Sequence, residues 1–197
     1  MDTKPAENEA TAPSSQEPKP GDSSPPLRTF SWTYWIILIT ILGTLAFYFT
    51  RRLEQIKAVA IMPTMILDAR IGFTPSTAFE TLRNLGSNGR QIYTEVNRVD
   101  FVLMPIIVRE FLLNTFPATT TKSDWVREFL ANMYMLGDVL ENVCVAILLK
   151  AYPNEFIYVA WACCVGNLAK WAGFYASTLG MLYEIFLWIR GAKFKKE

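Results

Sequence analysis

Long stretches with almost no charge alternate along this chain with short stretches where charges gather. Between Phe30 and Thr50 no charged residue occurs. Trp32, Tyr34 and Trp35 stand at one end of that run, Tyr48 near the other, and Arg51-Arg52 closes it. A helix rising about 1.5 Å per residue crosses a bilayer core of about 30 Å with such a run, and aromatic belts and cations belong at its ends. The pattern predicts a first span over residues 30–50. The next stretch, Leu53 to Thr74, is interrupted by Pro63 and shows no clear period. Thr74-Pro75 reads as an N-cap followed by proline at the first helical position. Phe79, Leu82 and Leu85 then recur every third residue and Gly86 offers a stop. This predicts an amphipathic loop helix over about 75–85, lying in the membrane interface.

A second long helix is expected to start near Asn88, with Ile92, Val96, Val99 and Leu103 as one stripe. Its span covers about 98–116, and Pro105 kinks it. Pro117, the threonines and Lys122-Ser123-Asp124 signal a turn, and Ser123 or Asp124 caps a third helix over 125–150. Tyr152-Pro153-Asn154 separates it from a last apolar run, read as one long span over 156–189. Ala169, Gly173 and Ser177, and Ala172, Ala176 and Gly180, form small-residue ridges at four-residue spacing, which let membrane helices approach closely. The expected architecture is all-α: an integral membrane bundle of four transmembrane helices in a domain covering residues 29–190.

Composition adds boundaries. Residues 1–28 are rich in proline and polar residues without apolar periodicity, and read as a disordered tail. Residues 191–197 form a basic tail. Its Lys193 and Lys195 match a dilysine retrieval pattern of the endoplasmic reticulum and favour a cytosolic C-terminus. The net charge of +1 gives no argument for nucleic acid as a partner. Histidine is absent, and Cys144, Cys163 and Cys164 lack metal-site spacing, so no metal and no cofactor is expected. The cysteines read as small packing residues.

The polar residues inside the apolar runs carry the remaining information. Asp138, Glu141 and Asn142 share one helix face, and carboxylates in a membrane helix turn inward and find partners. Depth counted from the turns, with neighbouring helices antiparallel, puts Asp100 level with Glu141. It puts Asn167 level with Asp138, Lys170 one turn further within reach of Asp138, and Arg109 level with Asn132. The expected polar layer is Asp100, Asp138, Glu141, Asn142, Asn167 and Lys170, with Arg109 as a second cation. Asp138 is expected to be ionised against Lys170, with Glu141 or Asp100 holding a proton. Outside the layer, Gly86-Ser87-Asn88-Gly89 between Arg83 and Arg90 could present backbone amides to a phosphate, or simply turn the chain.

Leu67-Asp68-Ala69-Arg70, Gly72-Phe73-Thr74-Pro75, Leu82, Leu85-Gly86, Gly89-Arg90 and Tyr93 are followed by Asp100 and Pro105. Asp138-x-x-Glu141-Asn142, Tyr152-Pro153 and Lys170-Trp171 complete the series. In this combination the chain resembles a family of uncharacterised small four-span integral membrane proteins, from about Leu67 to Trp171. The resemblance implies that the loop after the first span and the polar layer belong together. It also implies a Phe where this chain has Gly137, hence looser packing beside Asp138. It brings no activity with it. The leading expectation is a non-enzymatic, structural or complex-forming membrane protein whose polar network fixes helix register. Its partners would be the bilayer and another membrane protein or a second copy. One alternative is a small enzyme or binder for an apolar ligand, a sterol or acyl lipid, with Asp138, Glu141, Asp100 and Lys170 as candidate catalytic groups. The other is a proton or ion pathway formed by an oligomer.

Overall fold

The computed structural model describes residues 32–114 and 121–194. The expected N-terminal tail, the Pro117 turn and the last three residues of the basic tail lie outside them. The described residues are all helical apart from loops: α1 (Trp32–Val59), a 3-10 turn (Leu67–Ala69), α2 (Pro75–Asn84), α3 (Gly86–Asn114), α4 (Thr121–Ala151) and α5 (Ile157–Phe194). Two of them, α1 and α4, are long and apolar enough to cross a membrane.

The centre of the fold is the antiparallel pair α4–α5. α3 packs on α4, α1 packs on α3, and α2 leans on α3 and α5. What lets α4 and α5 meet is glycine on both sides. A Cβ at Gly137 would overlap the Lys170 backbone nitrogen. One at Gly166 would stand 2.8 Å from the Glu141 nitrogen, and one at Gly173 would stand 2.6 Å from the Tyr134 nitrogen. These are backbone-to-backbone approaches with no room for a side chain. Gly137 therefore tightens the packing beside Asp138 instead of loosening it. The ridge in use runs through Gly166, Gly173 and the buried Ser177, while a Cβ at Gly180 would meet nothing within 4 Å.

Several boundaries differ from those expected. α1 does not stop at Thr50 but continues to Val59. Arg51 pairs with Glu54 and Arg52 bonds Gln55, both along the helix, and Arg52 also reaches Glu95 of α3 at 3.1 Å. Ile56 then buries against the core, so the cations ride on a continuing helix and the chain breaks only before Pro63. Gly86 does end α2, with φ of +65°, but α3 starts at that same residue, not at Asn88. α4 begins at Thr121, so Asp124 is inside the first turn, paired with Arg127 three residues on, and is not the cap.

Thr74 caps α2 by accepting a hydrogen bond from the Thr77 amide. The Phe79, Leu82 and Leu85 stripe is buried among Tyr93, Leu148 and Cys163. α2 thus turns its apolar face into the protein core, where the period alone had suggested a lipid-facing interface helix. Cys144, Cys163 and Cys164 are buried free thiols in or beside that core.

Substituting Gly137 by Ala should force α4 and α5 apart and cost about 1–3 kcal/mol, the usual penalty of overpacking. Gly180→Ala meets open space and gains helix propensity, so it should leave the melting temperature in detergent unchanged or raise it. Equal losses for the two variants would contradict the close approach.

Candidate functional site

Lys170 projects from α5 into the α4–α5 seam, where its backbone nitrogen stands opposite Gly137. Its ammonium lies 2.8 Å from Asp138 Oδ1 and 3.1 Å from Glu141 Oε2. Asp138 and Glu141 are fully buried and Lys170 is 7% exposed. The remaining valences are filled. Tyr134, one turn before Asp138 on α4, donates its hydroxyl to Asp138 Oδ2 at 3.2 Å. Asn142 donates to Asp138 Oδ1 and accepts from Asn97 of α3 at 2.6 Å. Asn167 donates to Glu141 Oε1 at 2.7 Å. Asp100 is buried within electrostatic reach of Asp68, Asp138 and Lys170. All six expected layer residues meet in one place.

The register between the helices has two different outcomes. Between α3 and α4 the count from the turn holds, because Arg109 Nε donates to Asn132 Oδ1 at 2.7 Å. Between α4 and α5 it slips by about two residues: Gly166 stands opposite Glu141 and Gly137 opposite Lys170. The cause is where α5 begins. The count assumed Glu155, whereas the helix begins at Ile157. Asn167 therefore bonds Glu141 instead of Asp138, and Lys170 reaches both carboxylates.

Arg109 does not join the layer. It sits nine residues along α3 from Asp100 in a second cluster, paired with Glu110 and Asn132. Asn114 extends that cluster to Tyr34 of α1 at 3.1 Å. The two clusters pin α3 at separate heights, one to α4 and the other to both α1 and α4.

The loop after α1 supplies what periodicity could not show. Asn167 turns both ends of its amide to it: Nδ2 donates to the Arg70 carbonyl at 3.0 Å, and Oδ1 accepts from the Gly72 amide at 2.7 Å. Trp171 donates its indole N–H to the same Arg70 carbonyl at 2.7 Å. Tyr93 of α3 donates to Asp68 Oδ2 at 2.6 Å. Asp68, Tyr93, Asn97, Tyr134 and Trp171 are thus site residues beyond the expected layer. Tyr134 was accessible to the four-residue rule from Asp138. Asp68, Arg70, Gly72, Tyr93 and Trp171 stood among the motif residues, but irregular backbone has no period to place it by.

Around the Gly86–Gly89 turn both arginines are engaged by the chain itself. Arg83 pairs with Glu155 at 3.4 Å. Arg90 donates to the Leu82 carbonyl at 2.9 Å and lies over the Tyr152 ring. A Cβ at Gly86 would press on Ile61, so the turn is packed against the chain itself. Among the described residues, no group of three or more Cys, Asp or Glu side chains is arranged to hold a metal ion. Searches with family models, against curated proteins and against solved structures find no match to this chain.

Removing Lys170 leaves two buried carboxylates without their cation, and breaking a buried pair in this way costs about 3–5 kcal/mol. Lys170→Met should therefore destabilise strongly. Adding Asp138→Asn and Glu141→Gln should restore much of the loss in thermal unfolding. A triple variant no more stable than Lys170→Met would contradict the pairing. Arg109→Met and Lys170→Met should be additive within about 0.5 kcal/mol, as separated sites are; strong coupling between them would show that the two clusters are one.

Proposed function

We propose that this chain is a multi-pass integral membrane protein of four spans, α1, α3, α4 and α5, whose buried polar cluster is a clasp that fixes helix register. Its role is structural, as a scaffold or subunit of a membrane complex. The observation that carries the reading is the pairing within the Lys170, Asp138 and Glu141 group. Lys170, both oxygens of Asp138 and both oxygens of Glu141 have partners, every one of them from the chain itself. A catalytic carboxylate or a ligand-binding pocket needs at least one such group turned to a cavity. An open groove of about 480 Å³ does exist, but it lies elsewhere, between α1 and α3, lined by Arg52, Gln55, Gln91 and Glu95.

Two further features support the bilayer as the surroundings. α1 buries only Leu38, Leu45 and Ile56, a narrow seam toward α3, and leaves Ile36, Ile37, Ile39 and Phe47 outward. α5 leaves Tyr158, Trp161, Val165, Leu168, Leu179 and Phe186 outward along its length. Exposed apolar surface of this extent suits lipid or a membrane partner and not water. The resemblance to small four-span membrane proteins points the same way.

Impermeant thiol labelling in sealed vesicles tests the topology. In a background lacking the three native cysteines, Ser87→Cys and Asn154→Cys should label from one side, and Thr33→Cys and Trp125→Cys from the other. The protein should also stay in the membrane pellet at alkaline pH. Labelling of all four positions from the same side, or release into the alkaline supernatant, would contradict four spans.

A further inference from the structure

The segment Met65–Phe73 descends into the bundle without belonging to any long helix. Asn167 lies ten residues into α5, so the Arg70 carbonyl it holds is about 15 Å below the start of that helix. Non-helical backbone at such depth must have its polar groups satisfied by the surrounding protein. Here one side chain does most of it. Asn167 bonds the carbonyl of Arg70 and the amide of Gly72, the pattern by which a neighbouring strand pairs with residues i and i+2. The second N–H of the same amide goes to Glu141, so one side chain joins the loop to the carboxylate cluster.

The segment is also a unit by itself. The Arg70 guanidinium folds back onto the Met65 carbonyl at 3.1 Å and reaches Thr64. Backbone bonds from Ala69 to Ile66 and from Arg70 to Leu67 close the short 3-10 turn. Upstream, Ile61 bonds the Asn84 carbonyl at the end of α2, which fixes the base of the loop. Downstream, Gly72 has φ of +71°, a conformation other residues adopt only under strain, and is the natural pivot. The closed position is not fully satisfied. Asp68 Oδ1 is buried without a hydrogen-bond partner, and Ile61, Met62, Met65 and Ile71 remain outward. An unpaired buried oxygen penalises closure and is relieved by hydration when the segment lifts.

We propose that residues 65–73 form a strap, latched by the Asn167 side chain, that shuts the Lys170–Asp138–Glu141 cluster off from water and lifts as a unit to expose it. This goes beyond the clasp, since it makes the hydration of the clasp adjustable, and its depth argument rests on the membrane reading proposed above. The strap is a wall of the cluster that belongs to neither α4 nor α5, so it can leave without unfolding them.

Cys163 is a native reporter beneath the strap. It is fully buried, its thiol contacts the Glu141 carbonyl at 3.7 Å, and it shares a core with Ile66 and Leu67. The full chain in lipid nanodiscs, with Cys144 and Cys164 replaced by Ala, is treated with a small water-soluble methanethiosulfonate. A second protein retains Cys164 alone and reports opening of the bundle as a whole. Asn167→Ala should speed labelling of Cys163 at least tenfold and change Cys164 by less than about twofold. Trp171→Phe removes one bond to the Arg70 carbonyl and should give a smaller acceleration with the same selectivity for Cys163. Unchanged Cys163 labelling in both variants, or equal acceleration of Cys163 and Cys164, would overturn the strap.

Discussion

Lys170 holds two carboxylates at once, deep in the seam between α4 and α5, and the remaining polar contacts are arranged to make that possible. Burying a lysine with two acidic side chains carries a large desolvation cost, offset only where their polar atoms find partners. Tyr134 and Asn142 complete Asp138, and Asn167 completes Glu141. Each partner brings another element with it. Asn142 draws in Asn97 and so fixes α3. Asn167 draws in the strap, and Asp68 of the strap draws in Tyr93. The glycines at 137, 166 and 173 serve the same end, because only a close α4–α5 approach lets Lys170 reach both acids.

Much of this was legible in the residues alone. An isolated Asp or Glu in an apolar run must face inward, so Asp138, Glu141, Asp100 and Lys170 identify themselves by their surroundings. The α3–α4 register could be counted because few residues separate the two helices, and Arg109 does meet Asn132. The α4–α5 register could not, since a shift of two residues in the start of α5 moves Asn167 from one acid to the other. Such a boundary depends on the turn around Pro153, which hydrophobic period does not describe.

The strap was invisible for a different reason. Its contacts are made by backbone atoms of Arg70 and Gly72, and backbone atoms look the same in every sequence. Only the motif residues Asp68, Tyr93 and Trp171 hinted that the loop and the layer belong together. α2 shows the opposite effect. Its apolar stripe was plain, but a stripe says that a face is covered and not by what, and the cover is the core around Tyr93 and Leu148.

In the proposed arrangement the strap and the bundle are one polar unit organised on Lys170. A double-mutant cycle between Tyr93→Phe, which frees the strap's Asp68, and Lys170→Met, which removes the cluster's cation, measures it most directly. The two side chains sit on different helices and no bond joins them, so any coupling has to pass through Asp68 and the cluster. A coupling energy of about 1 kcal/mol or more is expected in reversible unfolding. Additivity within about 0.3 kcal/mol would mean that the strap merely rests beside the cluster, and would contradict the account.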